Sequence, residues 1–178
     1  MNRLTRAFCG FLLTVAAVGC GTSYQWRSPV PEKWRTVAVP TFRNETDLSE
    51  IGAISARQIL RELQREGSFK VCSAGEAALE IQGTIKQVMA GNVAYNRRSG
   101  LRIGSYKMSM KAVVSVIDKL DGRVLIDNRS YAASTTFAGG QDTTTSERDA
   151  SGRLADDLSR QVVDDVLAFP FDKEEAKR

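Results

Sequence analysis

Residues 106–117 read YKMSMKAVVSVI, and every second side chain from Tyr106 to Val116 is apolar. Lysine and serine side chains occupy most of the positions between them. This period of two is typical of a β-strand with one face packed on a core and the other face turned to solvent. The turn-forming residues 118–122 (DKLDG) follow, so residues 123–133 are predicted to form the antiparallel partner of a hairpin.

Three other segments have the character of strands. Residues 79–89 (LEIQGTIKQVM) alternate in the same way. Residues 35–42 (RTVAVPTF) also alternate, but Pro40 cannot donate a ladder hydrogen bond, which favours an edge position or a strand end. Residues 69–72 are a shorter apolar segment. Residues 44–47 (NETD) are predicted to form a turn.

Two segments have the helical period. Residues 49–66 carry an apolar stripe and a charged opposite face, and Gly67 stands where a helix-terminating glycine belongs. A second helix is predicted to begin at Ser146, with Asp149 completing a capping box. Its apolar residues recur every four positions: Ala150, Leu154, Leu158, Val162 and Val166. Residues 135–145, rich in Gly and Thr, are predicted to form the loop before it.

This order of elements predicts the fold class. We expect an α/β two-layer sandwich, in which two helices pack on one face of a four-stranded mixed, largely antiparallel sheet. The chain has 178 residues, of which 42% are hydrophobic, enough for one packed domain. That domain is predicted over residues 35–171, and residues 172–178 are a charged tail.

The N-terminus has the features of an export signal. Met1–Arg6 carries two arginines and no acid, and residues 7–19 are uncharged and too short to span a bilayer. They lead into Ala17-Val18-Gly19-Cys20, which resembles the bacterial lipoprotein box. We therefore expect a signal peptide over residues 1–19, covalent lipid on Cys20, and a Ser/Pro-containing tether over residues 20–34. The alternative is an ordinary signal peptide with a chance cysteine.

The composition argues against an enzyme. The chain has no histidine, which excludes Ser-His-Asp and Cys-His catalytic sets. The paired carboxylates Asp156-Asp157 and Asp164-Asp165 have arginines four residues away, the spacing of ion pairs on a solvated helix face. Cys72, left alone after cleavage and acylation, is expected to be a small buried hydrophobe rather than a reactive thiol. No catalytic residue, no metal ligand and no cofactor other than the Cys20 lipid is predicted.

Charge is distributed unevenly. Residues 81–117 contain no Asp or Glu and six bases: Lys86, Arg97, Arg98, Arg102, Lys107 and Lys111. We call these six residues the basic strip. A local excess of cations beside apolar residues suits an anionic, phosphorylated amphiphile, because a guanidinium group can bond two phosphate oxygens at once. The alternative is that the three lysines only keep an exposed sheet face soluble.

Taken together, these segments resemble the LptE family, the lipoprotein component of the outer-membrane lipopolysaccharide (LPS) translocon. The resemblance extends from Cys20-Gly21 through VAVPTFRNET, LEIQGTI and YKMSM to the closing SERDA…LADDL helix. It implies a protein on the periplasmic side of the outer membrane that plugs the LptD β-barrel, helps it assemble, and binds LPS. Arg97 or Arg98, with Arg102 and Lys107 nearby, best match the family's basic residues. The family's second basic position falls in residues 134–147, which contain no Lys or Arg.

Other functional classes share parts of this pattern. A strand with VAVPTFRNET followed by a helix also resembles periplasmic lipoproteins that activate peptidoglycan synthases, and the core of curli-type secretion lipoproteins. Such a regulator would bind its partner through the globular face and would need no basic strip. A periplasmic enzyme working through Asp156 or Asp164 is the remaining alternative.

Overall fold

The computed structural model describes residues 30–96, 102–138 and 143–171. After a single 3-10 turn at Glu32–Trp34, the chain forms eight elements in the described ranges. They are β1 (Thr36–Ala38), β2 (Arg43–Asn44), α1 (Ile51–Glu66), β3 (Lys70–Val71), β4 (Leu79–Asn96), β5 (Arg102–Asp118), β6 (Arg123–Ala138) and α2 (Thr143–Leu167).

The predicted class of two helices and a mixed sheet is confirmed, but the sheet has six strands rather than four. Its order is β3-β1-β4-β5-β6, and β2 pairs with β4 beyond the end of β1. The long strands β4, β5 and β6 are antiparallel, whereas β1, β2 and β3 pair in parallel. The count of four was wrong because it left out the short apolar segment 69–72, which forms β3, and because β2 has only two residues, too few for a period of two to be recognised.

The long strands extend beyond their predicted ends. β6 continues to Ala138, and Thr135–Phe137 pair with β5, so the loop predicted from residue 135 was wrong there. The β-branched and aromatic residues of this segment favour a strand. The second helix begins at Thr143, which places Ser146 inside it, so the predicted capping box was also wrong.

The predicted division of the sheet into two faces is confirmed. The residues of β5 from Met108 to Val116 that share the apolar register are buried on the helix side. Ile59 and Leu63 of α1 belong to the same core, as do the stripe residues of α2. No helix of the described ranges covers the opposite face. We call it the open face; its residues on β5 include Lys107, Ser109 and Lys111.

One aromatic ring holds α1 and β4 together. Phe42 is buried against Gly83, where an added Cβ would lie 2.2 Å from a ring carbon. The carbonyl oxygen of Phe42 lies 2.3 Å from the Cβ that any larger residue would place at Gly52 of α1. Both glycines are therefore required by close approach, in which the absence of a side chain makes room for Phe42.

A buried polar contact closes the end of the sheet where β4 begins. Trp34 is fully buried, and its indole Nε1–H donates to Oδ2 of Asp118 at 2.9 Å. The other carboxylate oxygen of Asp118 accepts from the backbone N–H of Leu120 at 2.9 Å. The Phe171 ring packs on Trp34, with 5.2 Å between the ring centroids. Val30 and Trp34, the last residues of the predicted tether, are thus packed in the domain core.

Side chains of α2 cover the outer edge of β6. The Gln161 amide donates to the carbonyl of Ala132 at 3.2 Å, and the Arg153 guanidinium donates to that of Thr136 at 3.3 Å. Farther along, Arg129 of β6 pairs with Asp165 of α2 at 2.9 Å. An edge strand exposes unpaired backbone groups that other chains could join, and these contacts protect this one.

The same region raises the pKa of a tyrosine hydroxyl. Tyr131 is buried on β6; burial raises the pKa of its hydroxyl far above the ordinary value near 10, and a hydrogen bond to Asp165 raises it further. Because the folded-state pKa is raised, the protonated hydroxyl stabilises the fold fully below about pH 10. That contribution is lost as the pH rises through the folded-state value.

We expect Tyr131 to stay protonated through pH 10 and to ionise only as the protein unfolds in alkali. Absorbance at 295 nm during a pH titration measures this, with Tyr131→Phe as the comparison. The variant should lose only the component that accompanies unfolding. Loss of a reversible component near pH 10 would contradict the assignment.

Candidate functional site

The structure places two members of the basic strip on the open face of the same strand. Lys107 and Lys111 lie four residues apart on β5, about 13 Å along the strand. Their cross-strand neighbours are all uncharged: Gln87 and Ala132 beside Lys111, and Gly91 and Thr136 beside Lys107. Both lysines are exposed, and neither forms an ion pair with a residue in the described ranges. Both positive charges therefore face solvent without an ion-pair partner from those ranges.

A shallow depression of about 460 Å³ lies between these lysines on the open face. Ser109, Ser134 and Asp157 of α2 are among the residues that line it. Met89 is 58% exposed beside them. Ammonium groups and hydroxyls bind phosphate oxygens, whereas the methionine offers an apolar surface. The arrangement can thus contact both parts of a phosphorylated amphiphile.

Lys86 is placed differently from the other lysines. It lies in a β-bulge, where the register passes from Ile85 directly to Gln87. Its ammonium group pairs with Glu45 at 3.0 Å, and the same carboxylate lies 3.5 Å from Arg43. Two cations therefore share one acid, which leaves about one net positive charge here.

Arg43 extends the basic surface beyond the strip. With Lys86 it borders a second depression on the open face, next to Thr84 and Val113. Arg43 was not predicted to belong to this surface, because it lies far from residues 81–117 in the chain. Only the pairing of β2 with β4 brings it to this face. Its position just before the NETD turn was the one feature of the sequence that could have drawn attention to Arg43.

The other predicted site residues are only partly visible. Arg102 begins β5 and pairs with Asn96, so its backbone lies at the far end of the β4–β5 hairpin. Arg97 and Arg98 follow Asn96 in the sequence and lie outside the described residues. Cys20, near the N-terminus, also lies outside them. The structure therefore joins Lys107 and Lys111 into one surface and leaves the arginines as predictions.

The carboxylates of α2 serve as structural partners. Asp156 pairs with Arg160 at 2.6 Å, as its spacing predicted, and also accepts from the Gln58 amide of α1 at 3.2 Å. Arg153, expected to pair with Asp157, instead donates to Thr135 and Thr136 of β6. Within the part of the chain that the structure describes, no group of His, Cys, Asp or Glu side chains could hold a metal ion.

Cys72 and the helices add two further observations. The Cys72 thiol is partly buried and lies 3.8 Å from the carbonyl oxygen of Val37, so it is less buried than expected. Among the residues with described positions, no helix has both the length and the apolar character that crossing a membrane requires.

Solved structures of several bacterial proteins share this fold. A protein from Xanthomonas campestris matches with a TM-score of 0.55 and 9% identity, covering 84% of this chain and 94% of that one. A hypothetical protein from Chlamydia trachomatis gives 0.54 and 17%, covering 76% and 96%. A candidate lipoprotein from Caulobacter crescentus gives 0.51 and 13%, covering 73% and 90%. At these identities the similarity establishes the fold alone.

The sequence also matches a family model. No curated protein sequence matches this chain significantly. The model for LptE, described as lipopolysaccharide-assembly, matches residues 34–166. This range begins at buried Trp34 and ends within one residue of the end of α2, so it covers the whole α/β domain. The chain therefore belongs to the LptE family.

Proposed function

We propose that this protein is an outer-membrane lipoprotein, anchored on the periplasmic side through lipid on Cys20. In this proposal it plugs the LPS-translocating LptD-type barrel, helps that barrel assemble, and binds LPS on its way to the cell surface. The family match over residues 34–166 is the observation that carries the proposal. The uncompensated cations of the open face support it, since lipid A carries phosphate groups.

Arg97, Arg98, Arg102 and Lys107 are the proposed LPS-binding residues. Guanidinium groups suit phosphate because their planar fork bonds two oxygens together. Lys107 lies on the open face near the end of the hairpin, and Arg102 begins the same strand. Exposed Met89 offers apolar contact on that face.

The sheet is long, and its two ends are placed as a plug would require. Trp34 contacts Asp118, at the end of the sheet where β4 begins, so the tether joins the domain there. β4 then runs 18 residues, about 55 Å, toward the segment that contains Arg97 and Arg98. The point where the predicted tether enters the domain and the far end of β4 thus lie at opposite ends of the sheet. A domain entering a pore with the far end of β4 first would leave its tether attachment at the other end.

Affinity purification from detergent-extracted membranes tests the partner. A C-terminal tag on the full chain should recover an outer-membrane β-barrel of the LptD type together with LPS, identified by mass spectrometry. Recovery of a peptidoglycan synthase with no barrel would overturn the proposal in favour of a synthase activator.

Replacing Cys20 is expected to abolish lipidation. Cys20→Ala removes the thiol that receives lipid, so metabolic palmitate labelling of the chain should vanish and the chain should leave the membrane fraction. Cys72→Ala is the matched control and should keep full labelling. Palmitate retained in the Cys20 variant would contradict the predicted anchor.

A further inference from the structure

The two edges of the long hairpin sheet are protected to different degrees. The outer edge of β4 pairs with β1 at Leu79 and Glu80 and with β2 at Thr84 and Ile85. The N–H of Glu45 then donates to the carbonyl of Ile85 at 3.0 Å. Beyond this bond, no described residue pairs with the outer edge of β4 as far as Gly91. The segment 87–91 also contains no proline and no charge, which are the usual protections of an edge.

The side chain of Asn44 explains why the covering strand ends early. Its Oδ1 accepts from the backbone N–H of Thr46 at 3.0 Å, and its Nδ2 donates to the carbonyl of Leu48 at 2.9 Å. These bonds form an Asx turn that directs the chain away from β4 and into α1. The uncovered edge is thus a consequence of a specific turn.

The register shows which backbone groups face outward. The carbonyl of Ala132 points away from β5, since it accepts from Gln161. The opposite residue, Lys111, therefore directs its backbone groups toward Gln87 of β4, because directions alternate along a ladder. The next residues that turn outward on β4 are Val88 and Ala90. Each presents one N–H and one C=O to the space beside the strand.

That space is a groove of about 380 Å³. Val88 and Ala90 form one wall, the loop from Thr46 to Leu48 forms the other, and Met108 lies at its base. A groove beside a free strand edge suits an extended chain, which can bond backbone to backbone.

The charge of the groove differs from that of the open face. Asp47 and Glu147 line it, and neither forms an ion pair within the described residues. Glu45 and Lys86 also line it and pair with each other, and the Glu45 carboxylate lies near Arg43 as well. The groove therefore has a net negative character, which disfavours phosphate and favours Lys or Arg side chains.

We propose that the outer edge of β4 at residues 87–91 binds an extended segment of a partner polypeptide as an added strand. The Lys or Arg side chains of that segment face Asp47 and Glu147, and its backbone bonds Val88 and Ala90. This site uses backbone groups at the edge of β4, whereas the proposed LPS surface uses side chains of the open face, including that of Met89. The proposal does not depend on LPS binding.

The test uses the full lipidated chain in detergent micelles and a capped basic peptide, TKVRVKT, as the probe. Bound peptide should slow hydrogen exchange of the Val88 and Ala90 amides by at least about tenfold, measured by NMR. Two control peptides carry N-methyl groups on alternate residues, in the odd or the even pattern. A strand directs alternate N–H groups toward β4, so one pattern should abolish binding and the other retain it. Equal binding of both patterns, or no protection of Val88 and Ala90, would overturn the proposal.

Charge reversal in the groove provides a second measurement. The double variant Asp47→Lys with Glu147→Lys should lower the affinity of the basic peptide by about tenfold or more. It should also permit binding of the acidic peptide TEVEVET. Asp149→Lys, an exposed change on α2 outside the groove, is the control and should leave both affinities unchanged. The Val88 amide could also exchange slowly in the absence of peptide and lose this protection on dilution. That result would show that a second copy of this chain binds the edge, and it would overturn the proposed partner.

Discussion

Replacing Arg97 and Arg98 together by glutamate is expected to weaken LPS binding at least about a hundredfold. Each charge-assisted hydrogen bond to phosphate contributes about 1.5–3 kcal/mol, so losing two of them is worth about 3–6 kcal/mol. The introduced carboxylates would also repel the phosphates. Binding of purified LPS to the detergent-solubilised chain measures the effect, and circular dichroism checks that the fold is kept.

Two double variants bracket this experiment. Arg57→Glu with Arg61→Glu makes the same charge change on the exposed side of α1 and should leave LPS binding unchanged. Lys107→Glu with Lys111→Glu alters the open face and should weaken binding, since these lysines lack ion-pair partners in the described ranges. If the Arg97 and Arg98 variant bound LPS like the wild type, the proposed ligand site would be wrong.

Replacing Trp34 by alanine is expected to destabilise the domain by about 3–5 kcal/mol. The indole is fully buried and packs against Phe171, so its removal leaves a large cavity. It also removes the donor to Oδ2 of Asp118, a carboxylate that is itself buried. Urea denaturation followed by circular dichroism measures the free energy of unfolding, whereas fluorescence would change with the tryptophan itself.

Two further substitutions separate the contributions of Trp34 and remain informative if the alanine variant does not fold. Trp34→Phe keeps most of the packing but loses the hydrogen bond, and should cost about 1–3 kcal/mol. Trp26→Ala changes the other tryptophan, which the sequence places in the tether, and should leave stability unchanged. A Trp34→Ala chain within 1 kcal/mol of wild type, as an order-of-magnitude limit, would contradict the buried contact.

Part of the candidate site could be predicted because a strand has a strict period. Lys107 and Lys111 are four residues apart on one strand, so the alternation alone assigned them to the same face. Lys86 could not be assigned in this way, because a bulge at this position shifts the register by one residue. Nothing local in the sequence marks that bulge. The ion pair between Lys86 and Glu45 depends on the pairing of β2 with β4, which is a tertiary contact. It could not be predicted from the sequence either.

The short elements explain where the fold prediction was incomplete. β2 pairs with the edge of β4, and its two residues carry no detectable periodicity, whereas β3 lies within the short apolar segment that the sequence did mark. Trp34 follows Pro29 and Pro31 in a segment with no regular pattern, which favoured an extended tether. Its burial depends on Asp118, 84 positions away in the chain. Contacts at that separation leave no signal in a local window.

Local patterns in the chain were sufficient for the α/β class, the two helices, the long antiparallel strands and the face on which each side chain of β5 lies. These features follow from the helical and strand periods, which act over a few residues. The six-stranded order, the burial of Trp34, the shared ion pair at Glu45 and the uncovered edge of β4 required the folded molecule. Each of these depends on residues that are distant in the chain, and their positions are set by how the whole core packs.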